Sequence, residues 1–192
     1  MLLAAGGSAR LGKPKQLLVY NGKSLLEHTI EIIIASGIKP YIIVLGAHAD
    51  LLNPITDHPD GTVVLNQNWQ DGMATSIRTG LTALLEKYPA TGAVIFMTCD
   101  QPFVTAFLLN DLIIAHQQTG KSIVASSYDE ALGVPALFSK AVYPELLLLT
   151  GDAGAKKIIQ HHYAEVATVQ FPTGKIDIDT IGDYENLLKN NI

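Results

Sequence analysis

Residues 93–104 read AVIFMTCDQPFV. The stretch AVIFMT (93–98) is almost continuously apolar and rich in branched and aromatic side chains. That is the pattern of a strand covered on both faces, as in a parallel sheet. An aspartate, Asp100, follows where the strand ends. Working outward, YIIVL (41–45), TVVL (62–65) and SIVAS (122–126) repeat the pattern. Between them run helical periodicities. Leu26, Ile30, Ile33 and Ile34 recur on one predicted face, and Met73, Ile77, Leu81, Leu84 and Leu85 on another. Ser24 and Glu27 have capping-box spacing before the first of these helices, and Gly37 suits its end. Strands alternating with helices predict an α/β fold: a doubly wound, mostly parallel sheet in a single domain over residues 1–192.

The bulk numbers agree. Of 192 residues, 48% are hydrophobic and 16% charged, which is a globular composition. A formal net charge of -5 disfavours a general nucleic-acid binder. The lone cysteine, Cys99, excludes a disulfide within the chain and points to a reducing, cytoplasmic setting. It reads as a small core residue. No apolar run is long enough for a membrane span. The opening MLLAAGGSAR lacks the basic leader of a signal peptide. It reads as the end of a buried strand, clipped to Met1–Ala5, and the loop that follows.

In a doubly wound sheet, ligands gather at the carboxyl ends of the strands. The loop GGSARLGKPKQL (6–17) falls there. Gly6 and Gly7 let backbone amides approach a ligand, and Arg10, Lys13 and Lys15 concentrate positive charge. Amides with cations suit a polyphosphate. The spacing matches neither the P-loop nor the dinucleotide GxGxxG pattern. Asp100 at a neighbouring strand end would repel a triphosphate unless a cation intervened, which makes it a candidate Mg2+ ligand. In an extended DIDT (177–180), Asp177 and Asp179 share a face, and either is a candidate second ligand. The histidines show no metal-ligand spacing, and His161 and His162 sit near a predicted helix end. No Ser-His-Asp or Cys-His grouping stands out.

LAAGGSARLGKPKQLL (3–18) resembles the LAAGxSxRxGxPKxLL signature of the nucleotidyltransferases related to molybdenum cofactor cytidylyltransferase. NQNWQDGMATSIRTGL (66–81), CDQPFV (99–104), GVPALF (133–138), TGDAGAK (150–156) and DIDT (177–180) resemble that family's further segments, in order. The resemblance implies a nucleotide-diphospho-sugar-transferase-like fold. It also implies Mg2+-dependent transfer of CMP from CTP to molybdopterin, with release of pyrophosphate and delivery of the product to a molybdoenzyme. Alternatives are the same chemistry on a sugar, isoprenoid or choline phosphate, a GTP-using guanylyltransferase, or a cofactor-binding delivery protein without turnover.

By the same likeness, Arg10 holds the leaving β- and γ-phosphates. Lys15, expected on an exposed loop, contacts the attacked phosphate, and Asp100 completes the catalytic set. Leu3, Ala4, Ala5, Gly6, Gly7, Lys15, Asn66, Gly72 and Ser76 are the expected nucleotide-binding residues, with Trp69 at the pocket or its rim. Ala5, in place of the glycine common in guanylyl relatives, points to cytosine. The loop around Gly151, Asp152 and Gly154 is expected to face the acceptor, with Asp152 as a helix cap. TIGDY (180–184) departs from the family's TPEDY, and Asp183 reads as a cap, not a metal ligand.

Overall fold

The computed structural model describes residues 1–56, 58–129 and 131–189. Seven strands form the central sheet: β1 (Leu2–Ala4), β4 (Tyr41–Leu45), β5 (Gly61–Leu65), β6 (Ala93–Thr98), β7 (Ile123–Tyr128), β8 (Ala131–Ser139) and β9 (Ala167–Gln170). Their spatial order is β5-β4-β1-β6-β8-β7-β9. All neighbours pair in parallel except β8, which runs antiparallel to both β6 and β7. A short hairpin, β2 (Val19–Tyr20) with β3 (Lys23–Ser24), stands apart.

The apolar strands are explained by what covers them. Along β1, β4 and β6, alternate side chains enter two different cores. Leu3, Ile42, Val44, Val94 and Phe96 meet Ile77, Leu81 and Leu84 of α3 (Met73–Lys87), with residues of α5 (Tyr143–Leu147) and α6 (Ala155–His161). Leu2, Ala4, Ile43, Leu45, Ile95 and Met97 face α1 (Leu25–Ser36) and α4 (Ala106–Thr119). With no solvent face, the strands show no polar alternation.

A third, smaller core joins Leu11 and Leu18 of the glycine-rich loop to Tyr20, Leu25, Ile178 and Leu187 of α7 (Ile181–Lys189). It draws the C-terminal segment onto the loop. The remaining helix, α2 (Ala49–Leu52), is one turn long.

Helix α1 begins as predicted. Ser24 Oγ accepts from the Glu27 amide (3.2 Å), and Glu27 Oε2 accepts from the Ser24 amide (2.7 Å). Gly37 ends it in the left-handed region, at φ 72°. Thr180 and Asp183 cap α7 in the same reciprocal way.

Several expectations change. Ile34 and Met73 are 42% and 41% exposed and lie outside the cores. Asp152 does not cap α6, because Gly154 holds that position. GVPALF lies inside β8, and β7 runs on to Tyr128. Among the described residues, no helix is long and apolar enough to cross a membrane.

Candidate active site

The glycine-rich loop leaves β1 at the carboxyl edge of the sheet and is stapled from within. Gln16, almost fully buried, donates its amide to Ala4 O (2.8 Å) and Gly6 O (3.0 Å). The Lys15 amide donates to Ser8 Oγ (3.0 Å). Ser8 and Gly12 both adopt left-handed backbone, which folds residues 8–12 into a tight turn. Nothing in the sequence marks Gln16 for this role, because it directly follows the polar run Lys13-Pro14-Lys15.

The folded loop delivers Lys15 to two carboxylates from distant parts of the chain. Its Nζ lies 2.9 Å from Asp100 Oδ2 and 2.8 Å from Asp179 Oδ1. Lys15 is not on an exposed surface: its side chain retains only 17% exposure. Arg10, by contrast, is 72% exposed and reaches Asp179 Oδ2 at 2.9 Å. Thr98 Oγ1 donates to the other oxygen of Asp100.

Asp179 arrives here because Ile178 is fully buried and its amide donates to Asp100 O (2.9 Å). Asp177 and Asp179, flanking Ile178, are thereby brought to the same carboxylate cluster. Asp183, bonded to the Thr180 amide and hydroxyl, serves as the helix cap.

The electrostatics follow this geometry. Burial opposes the Lys15 charge, but Asp100 and the hydrogen bonds to both aspartates hold the ammonium above its ordinary range. The Lys15 hydrogen bond, with help from Arg10, holds Asp179 below the usual carboxylate range. Asp177 is pushed up, first by burial and then by the charges of Asp179 and Asp100. Negative charge is therefore in surplus where these side chains meet. That donor set, hard oxygens in a partly enclosed site, fits a divalent cation such as Mg2+. Asp100, Asp179 and Asp177 are the residues that would hold it. Buried Cys99 is pushed up to about 12 by burial and the charge of Asp100, and is inert as a nucleophile.

Several cavities open around these residues, and two of them flank the glycine-rich loop and Asp100. The first, about 380 Å3, is lined by Leu3, Ala5, Gly6, Gly7, Trp69, Gly72, Met73, Ser76 and Asp152, among others. It gathers most of the expected nucleotide-binding residues. Ala4, Lys15 and Asn66 are absent from its lining, and Lys15 is held instead between Asp100 and Asp179. Ala4 points into the opposite core, as strand alternation requires. Asn66 is buried, and its Nδ2 donates to Thr75 Oγ1 (2.8 Å) and Ser76 Oγ (3.0 Å), fixing the start of α3.

Gly72 is required where it stands. Its φ is 102°, and a Cβ there would lie 2.3 Å from the Gly151 carbonyl. The second cavity, about 480 Å3, is lined by Thr98, Asp100, Gln101, Tyr128, Val134, Lys156, Lys175 and Asp177, among others. A smaller apolar cavity of about 120 Å3 lies at the opposite edge, around Met1, Tyr41 and Ala93, away from the carboxylates.

A glycine loop at a strand's carboxyl end, a lysine set between aspartates and a cavity beside each define an α/β nucleotide-binding domain. The chain belongs to the MobA-like NTP transferase domain family, whose model matches residues 1–166, and is thus a member of a nucleotidyltransferase family. It is similar to nicotine blue oxidoreductase of Paenarthrobacter nicotinovorans, at 30% identity over 98% of this chain and 95% of that protein. The crystal structure of Rv0371c from Mycobacterium tuberculosis H37Rv superposes with a TM-score of 0.82, at 30% identity over 98% of this chain and 96% of that one. A manganese complex of Rv0371c matches with a TM-score of 0.78 and 28% identity, over 98% and 96%.

Proposed function

We propose that this chain, acting as one domain in the cytoplasm, transfers CMP from CTP to a molybdopterin-type phosphate acceptor and releases pyrophosphate. The observation that carries the reading is Lys15 Nζ set between Asp100 and Asp179 beside the glycine-rich loop. A phosphate oxygen of the acceptor attacks the α-phosphorus, the bond to the bridging oxygen breaks, and the β- and γ-phosphates leave together. Lys15 turns from the aspartates to the attacked phosphate, where a point charge stabilises the crowded phosphorus. Arg10, exposed at the loop's rim, takes the leaving phosphates. A bound magnesium ion would neutralise the phosphate oxygens and polarise the attacked centre. The manganese complex of the relative Rv0371c supports a divalent cation of this kind.

The base rests in the first cavity, against Ala5, Gly7, Gly72 and Ser76. The Ala5 methyl narrows it and favours a pyrimidine. Size alone discriminates by about 1–3 kcal/mol, so hydrogen bonds to cytosine supply the rest. The acceptor lies in the second cavity, where Lys156 and Lys175 suit an anionic partner. The product is then available to a molybdoenzyme.

Pyrophosphate release with CTP or GTP, in the presence of molybdopterin, tests the reading. CTP is expected to be preferred. Equal use, or preference for GTP, removes the cytidylyl assignment. Turnover only with a sugar, isoprenoid or choline phosphate replaces the acceptor.

The relative named nicotine blue oxidoreductase favours a second reading, in which the first cavity holds a dinucleotide used for reduction. Consumption of NADH or NADPH without pyrophosphate release would establish that alternative.

A further inference from the structure

Glu145, His161 and His162 come together on the surface formed by α5 and α6, using none of the residues assigned to nucleotide transfer. One ligand atom from each lies within 4.8 Å of the others. His162 Nε2 is 2.9 Å from Glu145 Oε1, and His161 Nδ1 is 3.5 Å from Glu145 Oε2. Adjacent residues on a helix diverge and do not normally share a ligand. Here His161 is the last residue of α6, and His162 leaves helical backbone at φ -99°, ψ 17°. The turn returns its ring to within 4.9 Å of the His161 ring. Both helices are anchored beside the cluster: Leu146 and Ile159 are fully buried, and Ile158 is nearly so. The ligand-bearing backbone is therefore fixed before any ion arrives.

We propose that Glu145, His161 and His162 form a second metal site, selective for a borderline transition-metal cation, Zn2+ above all, over magnesium. Two imidazoles and one carboxylate are a zinc-type donor set, whereas magnesium takes oxygen and retains its water. The spacing agrees. Metal–nitrogen and metal–oxygen bonds of about 2.0–2.1 Å in a tetrahedron place ligand atoms roughly 3.3 Å apart. Taken to one oxygen, Glu145 Oε2, the separations from His162 Nε2 and His161 Nδ1 are 3.0 and 3.5 Å, which bracket that value. Water fills the fourth position. An ion here ties α5 to α6, and α6 carries Lys156 into the second cavity. The site thus clamps the helix that lines the acceptor side.

The test uses the full chain, free of any polyhistidine tag, with zinc chloride alone. Zinc affinity is read by competition with a chromophoric chelator, and coordination by the visible spectrum of the cobalt-substituted protein. One tightly bound equivalent of zinc is expected at this site, apart from weaker zinc at the carboxylate cluster, with a nitrogen-containing tetrahedral cobalt spectrum and a raised melting temperature. His161→Ala and His162→Ala together, and Glu145→Gln alone, are expected to weaken zinc at least tenfold. His161→Ala, the most exposed change, gives the same reading if the double variant folds poorly. Asp179→Asn is expected to leave zinc affinity unchanged. Absence of zinc binding, equal binding by the histidine variants, or loss of binding in Asp179→Asn overturns the proposal.

Discussion

Lys15 and Asp179 lie 164 positions apart in the chain, yet Nζ of one is 2.8 Å from Oδ1 of the other. Asp100 completes the triangle at 2.9 Å. Lys15 therefore holds together carboxylates that would otherwise repel. Lys15→Ala is expected to lower turnover on the order of a hundredfold, because a charge that tightens on the transition state is lost. The metal-free variant is also expected to melt below the wild type, with magnesium or manganese closing part of the gap. Pyrophosphate release and melts with and without cation check both outcomes. A folded variant with near-normal turnover removes Lys15 from the mechanism.

Metal affinity should separate the aspartates. Asp179 already faces Asp100 across Lys15 Nζ, whereas Asp177 has no hydrogen bond to Lys15. Asp100→Asn and Asp179→Asn are expected to weaken manganese binding at least tenfold and nearly abolish transfer. Asp177→Asn should have the smaller effect. A manganese titration followed by electron paramagnetic resonance measures this directly. The reverse order would make Asp177 the second ligand.

Gly72→Ala should be costly despite its small size. The new methyl would meet the Gly151 carbonyl at 2.3 Å, on backbone at φ 102°. Strain of about 1–3 kcal/mol is expected, together with displacement of the loop that lines the first cavity. Chemical denaturation and nucleotide titration report the two effects. Wild-type values in both would show that the loops yield freely.

The α1 capping box supplies a pH test. Hydrogen bonds from the Ser24 hydroxyl and amide hold the Glu27 carboxyl below its usual range. Because the folded value is depressed, this stabilisation is complete above the unfolded value, about 4.3. It is lost as pH falls through the folded value. Glu27→Gln should therefore destabilise the chain at neutral pH, within the roughly 1 kcal/mol typical of helix caps. The difference should vanish in acid. A pH-independent difference would mean that the charge contributes nothing.

Much of this architecture was legible because covered parallel strands leave an unmistakable apolar record. YIIVL and AVIFMT match β4 and β6, and the Ser24–Glu27 and Thr180–Asp183 caps stand where their spacing put them. β8 was not read as a strand, because Gly133 and Pro135 interrupt its pattern. β9 is short and half covered. Most of the first cavity's residues were foreseen from the loop and the start of α3. Asn66, expected to meet the nucleotide because its type suits a base edge, is buried outside that cavity's lining. Its commitment to Thr75 and Ser76 is a tertiary fact with no local signature. The meeting of Glu145 with His161 and His162 is of the same kind. Sequence spacing reveals ligands on one element and is silent about those on two.

Gln16 has a consequence for how this domain can diversify. Its amide fastens Ala4 O and Gly6 O, so the wall of the first cavity at β1 is rigid from its root. On the proposed reading, in which the base rests in this cavity, a bulkier base is not admitted by yielding on that side. The opposite wall, from Trp69 to Met73, carries partly exposed side chains on a short turn and the tip of a helix. Changes of base preference should therefore accumulate there, leaving the inherited phosphate chemistry untouched while the choice of nucleotide drifts.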